Sequence, residues 1–108
     1  MDVESVRRLA LSFAGVTEEP HFHFTSFRIH GRIFATMPPG NDLLHVFVPE
    51  AEREEAVTAF PTSCESLHWG KRVVGVRVDL SAAPDVLVGD LLRVAYDDKA
   101  RQGAARGR

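Results

Sequence analysis

Val3, Val6, Ala10 and Phe13 recur at intervals of three and four with Leu9 beside them, so residues 2–14 predict an amphipathic helix. Asp2 suits its N-cap and Gly15 its C-terminal stop, and Arg7 and Arg8 fall off the apolar stripe. Residues 16–22, Val-Thr-Glu-Glu-Pro-His-Phe, read as a connector. Beyond them the period drops to two. Phe27 and Ile29 alternate with Arg28 and His30, Gly31 supplies a turn, and residues 32–37 form a second strand. Pro38-Pro39-Gly40-Asn41-Asp42 is a loop, and residues 43–48 form a third strand with Leu44, Val46 and Val48 on one side.

Pro49 opens a second helix whose Glu50 and Glu52 favour the positive end of the helix dipole. It runs to about Phe60, where Pro61 stops it. After a polar loop at 62–66, Ser66 to Trp69 starts a fourth strand, Gly70-Lys71-Arg72 breaks it, and Val73 to Leu80 is a fifth. There Val74, Val76, Val78 and Leu80 face inward and Arg77 outward. Pro84 opens a last helix with Leu87, Leu91, Val94 and Ala95 as its core stripe, and the pattern ends at Asp98. Residues 1–98 thus read as one domain and 99–108 as a disordered basic tail. The order α-β-β-β-α-β-β-α predicts a two-layer α+β fold with a mainly antiparallel sheet, helices on one face and Arg28, His30 and Arg32 on the other.

Composition adds bounds. With 108 residues, 44% of them hydrophobic, the chain can bury a modest core without a disulfide or metal. Its single cysteine, Cys64, has no internal partner, which fits a reducing cytoplasm. Asp2 and Glu4 stand where a signal peptide would be basic, and no apolar run approaches the ~20 residues of a membrane span, so a cytoplasmic protein, monomeric or weakly dimeric and without a membrane partner, is expected. A net charge of −2 weighs against a dedicated nucleic-acid binder, although the charge is uneven: residues 50–55 are acidic and the residues from 99 on are basic.

Candidate chemistry is sparse. His21 and His23, even joined by His30, His45 or His68, lack the cysteine pairs or His-Glu-x-x-His spacing of a metal centre. Cys64 and His68 lack an orienting carboxylate, and Glu65 discourages a thiolate at Cys64. Glu18 and Glu19 read as a solvated loop. Pro38-Pro39-Gly40-Asn41 lacks the Lys-Ser/Thr of a nucleotide loop. No catalytic residue, metal ligand or cofactor is therefore assigned. Trp69-Gly70-Lys71-Arg72 stands out, combining stacking area, a backbone free to bend and two cations. With Arg28, Arg32 and Arg77 it would make a basic, partly aromatic surface for a nucleic-acid backbone. The plainer reading makes Trp69 core, Gly70 a bulge, and Lys71 and Arg72 a solvated turn.

Three segments resemble the MmcQ/YjbR family of small bacterial proteins: Ala10 to Glu19, Ser26 to Ala35, and His68 to Arg72 followed by Val74 to Arg77. Their order and spacing carry the resemblance more than any one motif. It implies an α-βββ-α-ββ-α fold related to type III secretion chaperones, and a DNA-binding role by analogy to a double-wing motif. The expectation is a non-enzymatic binding module, holding DNA weakly through Arg28, Arg32, Trp69, Lys71, Arg72 and Arg77. The alternative is a protein-interaction or chaperone-like module using the sheet face.

Overall fold

The structure, a computed structural model, describes residues 1–106. Three helices, α1 (Val3–Ser12), α2 (Glu50–Ala59) and α3 (Asp85–Arg106), accompany six strands: β1 (Thr17–His21), β2 (Phe24–Ile29), β3 (Arg32–Met37), β4 (Leu43–Val46), β5 (Cys64–Trp69) and β6 (Arg72–Asp79). The strands form one antiparallel sheet in the order β1-β2-β3-β4-β6-β5. The expected α+β order holds, with one more strand at its start. β1 occupies the stretch read as a connector, paired from Thr17↔Arg28 to His21↔Phe24. It has no apolar alternation to betray it, because four of its five residues are exposed. Pro20 is tolerated there because an edge strand needs only one row of hydrogen bonds.

The helices lie on one face of the sheet. Asp2 caps α1 by accepting from the Ser5 N–H at 2.8 Å, and α1 buries Val6 and Ala10. The core beneath the helices comprises Phe27, Phe34, Leu44, Val46, Val76, Val78, Val88 and Leu92, all fully buried. Burial of this one face fixes the register of the sheet. Among the described residues, no helix is long and apolar enough to cross a membrane.

Two local features set which side chains share a face. His30 and Gly31 both have positive φ, 52° and 76°, as a two-residue type I′ turn requires. Such a turn places Ile29 directly opposite Arg32, so Arg32 shares the buried face of Ile29. Its guanidinium donates to Gln102 Oε1 of α3 at 3.4 Å. The expectation that Arg32 and His30 would join Arg28 is corrected: the turn resets the alternation. The second feature is a bulge in β3. Pairing jumps from Phe27↔Ala35 to Arg28↔Ile33 and leaves Phe34 over. Phe34 turns to the helices and meets Phe13 and Phe27 at 6.5 Å and Tyr96 at 5.8 Å. The extra residue keeps Ala35 and Met37 in the core and sends Thr36 to the opposite face.

α3 runs to Arg106, which corrects the expected disordered tail over residues 99–106; residues 107 and 108 lie outside the described residues. The helix persists because it has something to pack on. Ala100 packs against the core, Gln102 meets Arg32, and Gly103 passes so close to the hairpin that a Cβ there would lie 2.6 Å from His30 Cβ.

Gly75 marks a tighter approach. A Cβ there would sit 1.9 Å from the Val46 carbonyl oxygen and 3.0 Å from Phe47 Cα. The obstacle is backbone, so no rotamer change relieves it. Gly75→Ala is expected to lower stability by about 3 kcal/mol, the upper end of overpacking costs, as a shift of the urea midpoint. An unchanged midpoint would show that β4 and β6 are not in this close contact.

Candidate functional site

The face without helices carries one continuous polar row. Glu19, Ser26, Thr36, His45, Arg77 and Glu65 stand directly opposite one another across all six strands. Its inner members are buried although no helix covers them: Ser26 is 0% exposed, Thr36 3% and His45 9%. Buried polar groups need partners, and the row supplies several. Ser26 Oγ donates to the Glu19 carbonyl at 2.7 Å and accepts from Arg28 Nε at 3.1 Å. Arg77 Nε donates to His45 Nε2 at 3.4 Å, while its Nη1 holds the Glu65 carboxylate at 2.6 Å.

The burial follows from the shape of the sheet. Antiparallel strands twist by roughly 20–25° at each pairing, and the twist accumulates over six strands into a saddle. Two diagonally opposite corners then rise above this face. One is the β1–β2 turn with His21, Phe22 and Phe24; the other is the β5–β6 hairpin with His68, Trp69 and Gly70. They flank a cleft of about 680 Å³ floored by Thr36, His45, Leu67 and Arg77. Its size is that of a site for a small molecule or a large side chain.

The walls are aromatic. Trp69 is 56% exposed, with one edge against Phe47 at 5.3 Å. That contact exists because Gly75 lets the chain leaving β4 cross close over β6. Phe24 lies 5.8 Å from the His45 ring. Phe22 is 90% exposed with φ at 58°, a left-handed conformation that costs a bulky residue about 1–2 kcal/mol. An aromatic ring held in water by a strained backbone is a feature associated with binding sites.

Three of the four floor residues, Thr36, His45 and Arg77, carry hydrogen-bond donors. Burial pushes the His45 imidazole below its ordinary pKa of 6.5, and the adjacent Arg77 charge pushes the same way. His45 is thus neutral at pH 7. Its Nε2 accepts from Arg77, which leaves the proton on Nδ1. The guanidinium and this N–H would both suit an acceptor, such as a carbonyl oxygen.

Nucleophilic chemistry has little to work with. Cys64 is in the core at 3% exposure, and burial raises its thiol pKa, against a weak contact with Ser63 Oγ at 3.9 Å. It stays protonated at neutral pH. Among the described residues, no group of three or more His, Cys, Asp or Glu side chains is placed to hold a metal ion.

The residues singled out from sequence divide. Trp69 and Arg77 line the cleft. Lys71 and Arg72 are exposed beside Trp69 at the hairpin tip. Arg28 is on the same face but lies 4.0 Å from the Glu19 carboxylate, and Arg32 is on the opposite face. They do not form a continuous positive stripe. Phe22, Phe24, Thr36 and His45 were missed as site residues. His45 was accessible to reasoning, since Leu44 and Val46 inward put it outward. Thr36 was not, because the Phe34 bulge sets its face.

A family model described as YjbR matches residues 11–98. Among solved structures, the crystal structure of Deinococcus radiodurans protein DR2400, with a DUF419 family-model domain, is similar with a TM-score of 0.79 and 21% identity. The match covers 95% of this chain and 88% of that one, and at this identity it is a likeness of fold. Comparison with curated proteins finds no match.

The depressed pKa of His45 has a signed consequence. Below pH 6.5 the unfolded chain binds a proton at His45 that the native chain resists, so this contribution leaves stability untouched above pH 6.5 and lowers it as pH falls below that value. Urea midpoints measured from about pH 7 down to about pH 5 are expected to fall, and His45→Gln to flatten the decline. An equally steep decline in the variant would sink the assignment.

Proposed function

The chain belongs to the YjbR family, and on that footing we propose that it is a non-enzymatic binding module that takes an aromatic side chain of a partner polypeptide into the cleft on its open sheet face. The observation that carries this is the pairing of exposed aromatic walls, Phe22 and Trp69, with a floor of donors, the buried His45 and the half-exposed Arg77. Stacking on the walls supplies area, and a backbone carbonyl beside the inserted ring meets the floor. Two cations of this face, Arg77 in the cleft floor and Arg28 on β2, weigh toward this reading and against a nucleic-acid backbone. Arg77 is held by Glu65 and Arg28 lies near Glu19, so their charge is largely spent inside the chain.

The DNA reading keeps one specific observation in its favour. Trp69, Lys71 and Arg72 are exposed together at the β5–β6 tip, where a single base could stack beside two phosphate contacts. The two readings differ in their response to salt, because phosphate binding releases counterions and ring insertion does not.

Trp69 is the only tryptophan, so its emission reports on the cleft directly. Titration with a capped alanine peptide carrying a central phenylalanine is expected to give a saturable change in the range of about 10–100 µM, insensitive to salt, with no response to the all-alanine peptide. No saturable response to either peptide would overturn the reading. A response to duplex DNA at low salt that disappears in Lys71→Ala/Arg72→Ala would favour the DNA module instead.

A further inference from the structure

The helix layer holds a second concave surface, on the far side of the sheet from the cleft. α2 and α3 splay apart and leave an apolar groove of about 250 Å³, lined along its length by Ala56, Phe60, Leu87, Leu91 and Val94. Val86, at the start of α3, lines it too and is 75% exposed. Polar residues usually occupy such outward positions on a surface helix.

The charge around the groove has one sign. Glu52 and Glu55 of α2 and Asp90 of α3 are its charged lining residues, and among the described residues it is lined by no lysine or arginine. Among the described residues no ion pair engages any of these three acids, whereas Glu50 and Glu54 on the same helix both lie within reach of Arg53. Glu52 adds a more specific signal. Its Oε2 is buried and has no hydrogen-bond partner among the described residues. A carboxylate oxygen withdrawn from water without a donor is costly, and a donor arriving from outside removes the cost.

We propose that this groove docks a basic amphipathic helix of a partner protein. Apolar side chains spaced along one face of that helix would fill the floor between Phe60 and Leu91. Lysine or arginine side chains on its flanks would meet Glu52, Glu55 and Asp90, and one ammonium or guanidinium would satisfy Glu52 Oε2. The proposal is independent of what occupies the cleft.

The test uses isotopically labelled full-length chain and two synthetic amphipathic helices of about 18 residues, one of leucine and lysine, the other of leucine and glutamate. With the lysine peptide, amide shifts are expected to concentrate at Ala56, Val86, Leu87 and Leu91, and the glutamate peptide is expected to leave them in place. Glu52→Gln and, separately, the exposed Asp90→Asn are each expected to weaken the lysine peptide several-fold, with chain folding checked by the unchanged spectrum elsewhere. Equal binding of both peptides, shifts centred on Thr36 and His45, variants that bind as wild type, or groove shifts that appear on concentrating the chain alone would each overturn it. The last would assign the groove to a second copy of the chain.

Discussion

Phe34 is the side chain on which the rest of the architecture turns. It sits where β3 carries one residue more than β2, and its ring fills the space between Phe13, Phe27 and Tyr96. A regular strand could bury Phe34 or Ala35, but not both. The bulge admits both, and the alternation beyond it is inverted. Thr36 therefore faces away from the helices, in line with Ser26 and His45, and the polar row crosses the sheet unbroken. The same aromatic cluster anchors α3, whose Tyr96 hydroxyl donates to the Ala14 carbonyl at 2.6 Å and ties the end of α1 to the last helix.

The open face is concave for reasons of backbone geometry, and its chemistry follows from that concavity. Because the middle of the row is withdrawn from water, His45 is kept neutral and Arg77 is oriented from both sides, by Glu65 and by the imidazole. Acids stand at both ends of the row, at Glu19 and Glu65, so Arg28 and Arg77 are compensated where they lie, whereas Lys71 and Arg72 stay exposed at the hairpin tip. The exposed material around the depression is mostly aromatic. The rings of Phe22 and Trp69 are thus exposed beside a floor whose arginine is already paired.

The coarse fold was legible because most elements announce themselves by period. The stripe of Val3, Val6 and Ala10 and the alternation from Phe27 to Ile29 each map onto a real helix and strand. What escaped lies where the period carries no information. β1 is an edge strand exposed along most of its length, so it has no apolar face to display. The two-residue His30–Gly31 turn placed Arg32 beside Ile29, against the helices, although counting by twos across the turn puts it outside. The last turns of α3 have weak apolar patterning and are held by contacts with Arg32 and His30 that only the folded chain supplies. The site was half visible. Trp69 and Arg77 were picked out by residue type, while Thr36 depended on the bulge. Phe22 and Phe24 fell in a stretch whose pairing could not be read.

β1 also decides how the molecule meets its own kind at high concentration. An open sheet edge is a template for further strands, and here that edge carries Glu18, Glu19 and Pro20. Pro20 has no N–H to offer an incoming chain, and a second copy of the same strand would bring like charges side by side. At the other edge, Arg53 of α2 reaches Ser66 of β5 at 3.4 Å and partly roofs the strand. Of the two routes to an endless intermolecular sheet, the one through β1 is therefore obstructed. Growth of the sheet through β1 is thus disfavoured while the helix-free face stays uncovered.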